Sequence, residues 1–168
     1  MNNTITEKPN ISRRQFLAAL LAAGYAPSLL ARVPGPLEKE YFVSAQGKDV
    51  DSYSFSSVSD NSNIHSVLTG FRGHGLAQNP VRKDSVILFA RRPGTVCVEI
   101  NPVNGSINRT FELAKNRNLQ GHGCFSTDGK LLFTAEADSH TGEGKIVVRD
   151  TQDYKQLSEL DSYGIGPH

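Results

Sequence analysis

The feature that most limits the fold is an internal repeat. Gly73-His74-Gly75 recurs 48 residues later as Gly121-His122-Gly123. Gly164-Ile165-Gly166-Pro167-His168 opens a third copy about 46 residues further on. Between the copies the pattern persists. Val86–Ala90 corresponds to Leu131–Ala135, and Val96–Ile100 to Ile146–Asp150. Repetition at this period points to stacked or radially arranged supersecondary units rather than to a single irregular domain.

Each copy reads as four short β runs. In the second they fall at Cys124–Ser126, Leu131–Ala135, Lys145–Asp150 and Lys155–Leu160. Asp128-Gly129 and Asn104-Gly105 are tight-hairpin pairs, because both supply the left-handed conformation that a two-residue turn needs. Arg92-Pro93-Gly94 and Thr141–Gly144 are matching breaks. Upstream, Tyr41–Ala45, Tyr53–Val58 and Ile64–Phe71 read as three more strands. Four strands at this period predict an all-β chain and a partial β-propeller of about three four-stranded blades, at 40–71, 74–115 and 122–161, with a next blade beginning at 164–168. An antiparallel sandwich is the competing architecture. A propeller closes with four or more blades, so the chain is expected to be the N-terminal part of a longer protein, or a truncated remnant. Open sheet edges predict self-association.

Residues 1–31 read as an export signal. Ser12-Arg13-Arg14-Gln15-Phe16-Leu17 stands directly before the apolar run Phe16–Ala31, the arrangement of the bacterial twin-arginine (Tat) signal, with Arg13 and Arg14 as its basic pair. The run is 16 residues long and interrupted by Gly24 and Pro27, short of the ~20 needed to span a bilayer. Cleavage after Ala31 is preferred, and residues 32–39 are a linker. The whole chain of 168 residues carries 18 basic and 17 acidic residues. Removing the leader leaves 15 basic and 16 acidic. That balance gives no electrostatic reason for a nucleic-acid partner or for membrane attachment after cleavage. The Tat translocase is the expected partner during export, and the periplasm the destination.

The leader, the two Gly-His-Gly motifs, Ala90-Arg91-Arg92-Pro93-Gly94, Glu136-x-Asp138, Gly142-x-Gly144 and Gly164–His168 together resemble an uncharacterised family of Tat-exported bacterial propellers, the domain-of-unknown-function family numbered 1513. The resemblance covers Tyr41 to His168. It implies a fold similar to seven-bladed quinoprotein-like and WD-repeat-like propellers. It also implies an association with periplasmic iron uptake alongside imelysin-like proteins. No activity is established for the family, so no catalytic residue is carried over. The chain is less than half the length the resemblance leads one to expect.

Propeller geometry sorts the polar residues. Strand A of a blade lies nearest the axis, and the D–A and B–C connections emerge on one face. That face is expected to hold His74, His122 and His168, with Glu136 and Asp138 further out, as candidate ligand or metal residues. Arg91 and Arg92 stand at the rim, either solvated or ion-paired with Glu136 and Asp138 of the next blade. The histidines support two readings, a structural one bonded across blades and one as ligands for a transition metal or another guest. Cys97 and Cys124 align with apolar Val147 and Leu76, which makes both small core residues, ahead of a disulfide or a nucleophile. No Ser-His-Asp order, phosphate loop or dinucleotide fingerprint is present. The leading function is non-enzymatic binding or scaffolding. The alternatives are a metal- or cofactor-dependent enzyme with a histidine-lined channel mouth, and a remnant without function.

Overall fold

The computed structural model describes residues 40–59 and 63–167. The export signal with Arg13 and Arg14, the linker and His168 lie outside the described residues. Within them the chain is all-β. Eleven strands form three antiparallel sheets, each with its strands side by side in chain order. The first sheet holds β1 (Tyr41–Gln46), β2 (Ser54–Ser59) and β3 (Ile64–Leu68). The second holds β4 (Gly73–Gln78), β5 (Val86–Ala90), β6 (Val96–Ile100) and β7 (Ile107–Glu112). The third holds β8 (Arg117–Phe125), β9 (Leu131–Asp138), β10 (Glu143–Asp150) and β11 (Gln156–Ile165). Short hairpins account for the chain-order meander, and Gly105 and Gly129 adopt φ of 73° and 68° in two of them, as their turn pairs predict. Among the described residues no helix is long and apolar enough to cross a membrane.

The sheets stack face to face, and side-chain alternation decides what each face meets. In the second sheet Val86, Leu88, Val98 and Ile100 point toward the first, where Phe55 is buried among Val43, Ala45 and Val67. Ile87, Phe89 and Cys97 point the other way, against Leu119, Leu132 and Tyr154 of the third. Every residue of β5 is therefore buried, which is why Val-Ile-Leu-Phe-Ala reads as an unbroken apolar run. Each large side chain so covered contributes roughly 1.5–3 kcal/mol by its removal from water. Between sheets, β1 lies against β4 and β4 against β8. The first strand of each sheet is thus the innermost, the arrangement of propeller blades around an axis.

Three boundaries differ from the sequence reading. β8 begins at Arg117, so Gly121-His122-Gly123 lies inside a strand. β9 runs to Asp138 because β10 pairs with it to its end, Gly144 opposite Ala137. Glu136 and Asp138 are therefore strand residues and not loop residues. β11 continues to Ile165, which stands opposite Glu143, so Gly164 and Ile165 end the third sheet in place of starting a fourth.

The repeat equivalences also shift by one residue. Leu88 stands opposite Val98, and Thr134 opposite Val147, each pair on the face turned toward the preceding sheet. Val147 therefore matches Val98 and not Cys97. Likewise Gly123 is opposite Thr134 and Leu76 opposite Leu88, so Leu76 matches Gly123 and not Cys124. An offset of one places a side chain on the other face. Cys97 is buried as expected, but Cys124 is exposed.

Candidate functional site

At the axis, β4 and β8 each carry a register irregularity at the repeated motif, between Gly73 and Gly75 and between Leu119 and Gly123. An irregularity of this kind re-aims the side chain at its centre. Here the residues re-aimed are His74 and His122. Their rings meet edge to face, with centroids 4.9 Å apart and planes at 72°. Glycine is required beside them. A Cβ on Gly75 would lie 2.2 Å from the Gly121 carbonyl oxygen. Gly121 has φ +88°, and its Cβ would lie 2.5 Å from Cδ2 of His74. The repeated glycines let two innermost strands approach closely enough for the imidazoles to touch. His74 is exposed, and His122 is half-buried with its Nε2 shielded from solvent. Two imidazoles in contact offer nitrogen donors of the kind that first-row transition metals favour.

The rim residues do not join them as expected. Arg91 and Arg92 are exposed. The loop they open is tied to the third sheet through its backbone, Leu119 N–H donating to the Gly94 carbonyl at 2.7 Å. Among the described residues no ion pair links either arginine to Glu136 or Asp138. Glu136 faces the second sheet instead, because it shares a face with Thr134 and Leu132. There it accepts from Arg149 Nη2 at 2.6 Å and from the Thr134 hydroxyl at 2.6 Å. Both members of the ion pair are buried. Asp138 closes its own turn, accepting from the backbone N–H groups of His140 at 2.8 Å and Thr141 at 3.0 Å. These bonds hold its carboxyl below the ordinary aspartate value. Neither acid extends the histidine site. Among the described residues no group of three or more His, Cys, Asp or Glu side chains is placed to hold a metal ion.

Sequence reasoning missed several buried polar groups, two of which bear on the sites. One is the Glu136–Arg149 pair. Its signal was an arginine ending the apolar run Ile146-Val147-Val148, with Arg149 on the same face as Glu136 and four residue pairs along the ladder. The other is Tyr154, buried in the turn after β10 and stacked on Phe111 at a centroid distance of 4.4 Å. Burial first, and then nearby Glu99, push its hydroxyl up to about 12.

A family profile described as "Protein of unknown function (DUF1513)" matches residues 67–168. No curated protein matches the chain in sequence. Among solved structures, dihydro-heme d1 dehydrogenase NirN in complex with DHE superposes with a TM-score of 0.58 at 14% identity, over 72% of this chain and 25% of its own. AztD of Citrobacter koseri superposes with a TM-score of 0.56 at 18% identity, over 75% and 33%. A quinoprotein alcohol dehydrogenase-like protein of Bacteroides thetaiotaomicron gives 0.53 at 15% identity, over 71% and 30%. The likeness is one of fold, a partial β-propeller. The chain spans between 25% and 33% of the length of these structures.

Proposed function

This chain belongs to the DUF1513 family, and from that premise we propose that it is an exported binding propeller whose guest, a transition-metal ion, is held at the axial mouth by His74 and His122. The observation that carries this reading is the 4.9 Å ring contact between two histidines from different sheets. A strand pair kept apart by any larger residue at Gly75 or Gly121 would not allow it. Two imidazole ligands leave coordination positions for water or for a partner's donors, which suits delivery or capture better than permanent structural binding. The Ser12–Leu17 motif supports export to the periplasm by the Tat route. The family resemblance supports a place beside iron-uptake proteins there.

The test is titration of the purified protein with Zn(II), Co(II) and Fe(II), followed by calorimetry and, for Co(II), by its visible bands. One ion per chain is expected, with binding weakened about a hundredfold when both histidines become alanine. Equal affinity in His74→Ala/His122→Ala would overturn the site. Export is tested separately. Replacing Arg13 and Arg14 with lysine is expected to retain the protein in the cytoplasm, and normal export of that variant would overturn the Tat assignment.

A further inference from the structure

The opposite end of the strands holds a second cleft. His74 lies at the start of β4, whereas the β4–β5, β8–β9 and β10–β11 connections gather at the other end of the same strands. Between the second and third sheets they enclose a cavity of about 290 Å³, lined in part by Asn79, Arg82, Glu99, Arg109, Lys130 and Gln152. Its walls are pinned. Asn79 is fully buried. Its amide donates to the Gly129 carbonyl at 3.0 Å and accepts from the N–H groups of Val81 and Arg82 at 2.9 Å each. Glu99, buried, holds Arg82 Nη2 at 2.7 Å and also accepts from the Ser85 hydroxyl. Arg109 donates from Nη1 to the Gln152 carbonyl.

Tyr154 brings the two arginines together. Its hydroxyl is 3.5 Å from Arg82 Nη2, and the Arg109 guanidinium carbon lies 5.9 Å from its ring centre. The backbone there is unusual. Tyr154 N–H donates to Asp150 O at 2.9 Å and Asp150 N–H to Lys155 O at 3.0 Å. In the second sheet the same two bonds run from Gly105 to Asn101 and from Asn101 to Ser106, both 2.8 Å. The positions are equivalent, and both are left-handed, φ 73° at Gly105 and 59° at Tyr154. The repeat uses glycine where the turn demands it, and the third sheet places a tyrosine there at a cost in strain. A strained residue kept where an equivalent turn avoids it points to a role beyond the turn.

Blade stacking does not call for the cations. At the junction of the first and second sheets, the cavity at this end is about 180 Å³ and is lined by Tyr41, Val43, Leu76, Gln78, Val86 and Pro102, with no charged side chain. Glu99 is satisfied by Arg82. Asp128 is exposed, with Lys130 at 3.9 Å. The Nε and Nη1 groups of Arg82, and Nε and Nη2 of Arg109, make no hydrogen bond among the described residues. The Nε–Nη2 edge of Arg109 matches a carboxylate two bonds at a time, and Arg82, its Nη2 already engaged, offers single charged donors. We propose that this cleft is a second ligand site, taking a small organic dicarboxylate with one carboxylate against Arg82, the other against Arg109, and Lys130 at the entrance.

Calorimetry at low salt with succinate, citrate and inorganic phosphate as probes decides it. A dicarboxylate is expected to bind, more weakly as salt is added. Arg109→Gln should weaken it about tenfold, the worth of one charge-assisted contact. Lys130→Glu, at a side chain 81% exposed and so harmless to folding, should weaken it further. His74→Ala/His122→Ala should leave it unchanged, which separates this site from the axial one. Three outcomes would overturn the proposal. One is no heat from succinate or citrate at about 10 mM. Another is unaltered binding in both Arg109→Gln and Lys130→Glu. The third is phosphate binding as tight as succinate.

Discussion

Arg149 on β10 and Glu136 on β9 form an ion pair at 2.6 Å inside the contact between the second and third sheets. By facing and pairing, their counterparts in the second sheet are Ile100 and Ala90, both buried and apolar. The third sheet therefore fills with charge a place that its repeat fills with hydrocarbon. Arg149 completes its bonding with the Tyr154 carbonyl at 3.3 Å and lies over the Phe111 ring. Oε2 of Glu136 is buried and has no partner among the described residues.

Removing one member of this pair leaves a buried charge without its counterpart. Glu136→Ala and Arg149→Ile are each expected to cost about 3–5 kcal/mol. The double variant Glu136→Ala/Arg149→Ile restores the pattern of the second sheet and should recover much of that loss. Urea denaturation of the four proteins closes the cycle. A double variant as unstable as the sum of the singles would show that the two side chains act independently.

Gly121→Ala is expected to destabilise by at least ~1–3 kcal/mol, the cost of a side chain at its left-handed φ. It should also displace the His74 ring that its Cβ would meet at 2.5 Å. Gly164→Ala is the control, since a Cβ there meets nothing within 4 Å and the change should fall within ~0.5 kcal/mol. Equal effects from the two substitutions, measured by thermal denaturation, would remove close strand approach as the reason for the glycine.

The two cysteines should separate under mild alkylation. Burial pushes the Cys97 thiol above its ordinary range, which leaves almost no thiolate to react. Cys124 lies on the exposed face of β8. Native protein treated with iodoacetamide should gain one label, at Cys124, and gain the second only in denaturant. Mass spectrometry of the peptides reads the outcome, and labelling of native Cys97 would contradict the placement of β6.

Asp138 predicts one component of acid sensitivity. Its folded carboxyl titrates below the ordinary value of 3.8, first through the N–H of Thr141 and then that of His140. A lowered folded value stabilises the native state above the unfolded one, and that stability is lost as pH falls through the folded value. Asp138→Asn should therefore show a shallower loss of stability below about pH 4. Asp128 and Asp153, lowered by similar local bonds, keep part of the slope. An unchanged slope in denaturation midpoints between neutral and acid pH would show that these turn bonds do not persist in solution.

The strand order, the hairpins at Asn104-Gly105 and Asp128-Gly129, and the place of His74 and His122 on innermost strands were legible because each rests on local pattern or on the repeat period. Facing was not. Bulges at Gly73–Gly75 and Leu119–Gly123 insert residues without leaving a mark in composition, and one insertion turns every later side chain to the other face. That is how Cys124 inherited a core assignment from Leu76, whereas Glu136 was placed at the rim because β9 runs on past Ala135 to Asp138. Tyr154 was hidden for a different reason. Its neighbours Thr151, Gln152 and Asp153 read as an ordinary polar turn, and only the backbone bonds reveal that it occupies the position of Gly105.

The middle sheet has a further consequence for motion. β5 and β6 lie between two apolar contacts, so their amides can reach solvent only when both neighbours let go. Strands of the first sheet are covered on one side and β11 is exposed along nearly its whole length, so these can open singly. Hydrogen exchange should therefore grade across the molecule, slowest at Ile87–Phe89 and Cys97–Val98 and fastest at the two flanking sheets, so that the slowest amides report global unfolding and the outer ones report local opening. Ligand sites at the two ends of the second and third sheets would then share one slowly exchanging wall, and occupancy of either would be felt as protection in the same few amides.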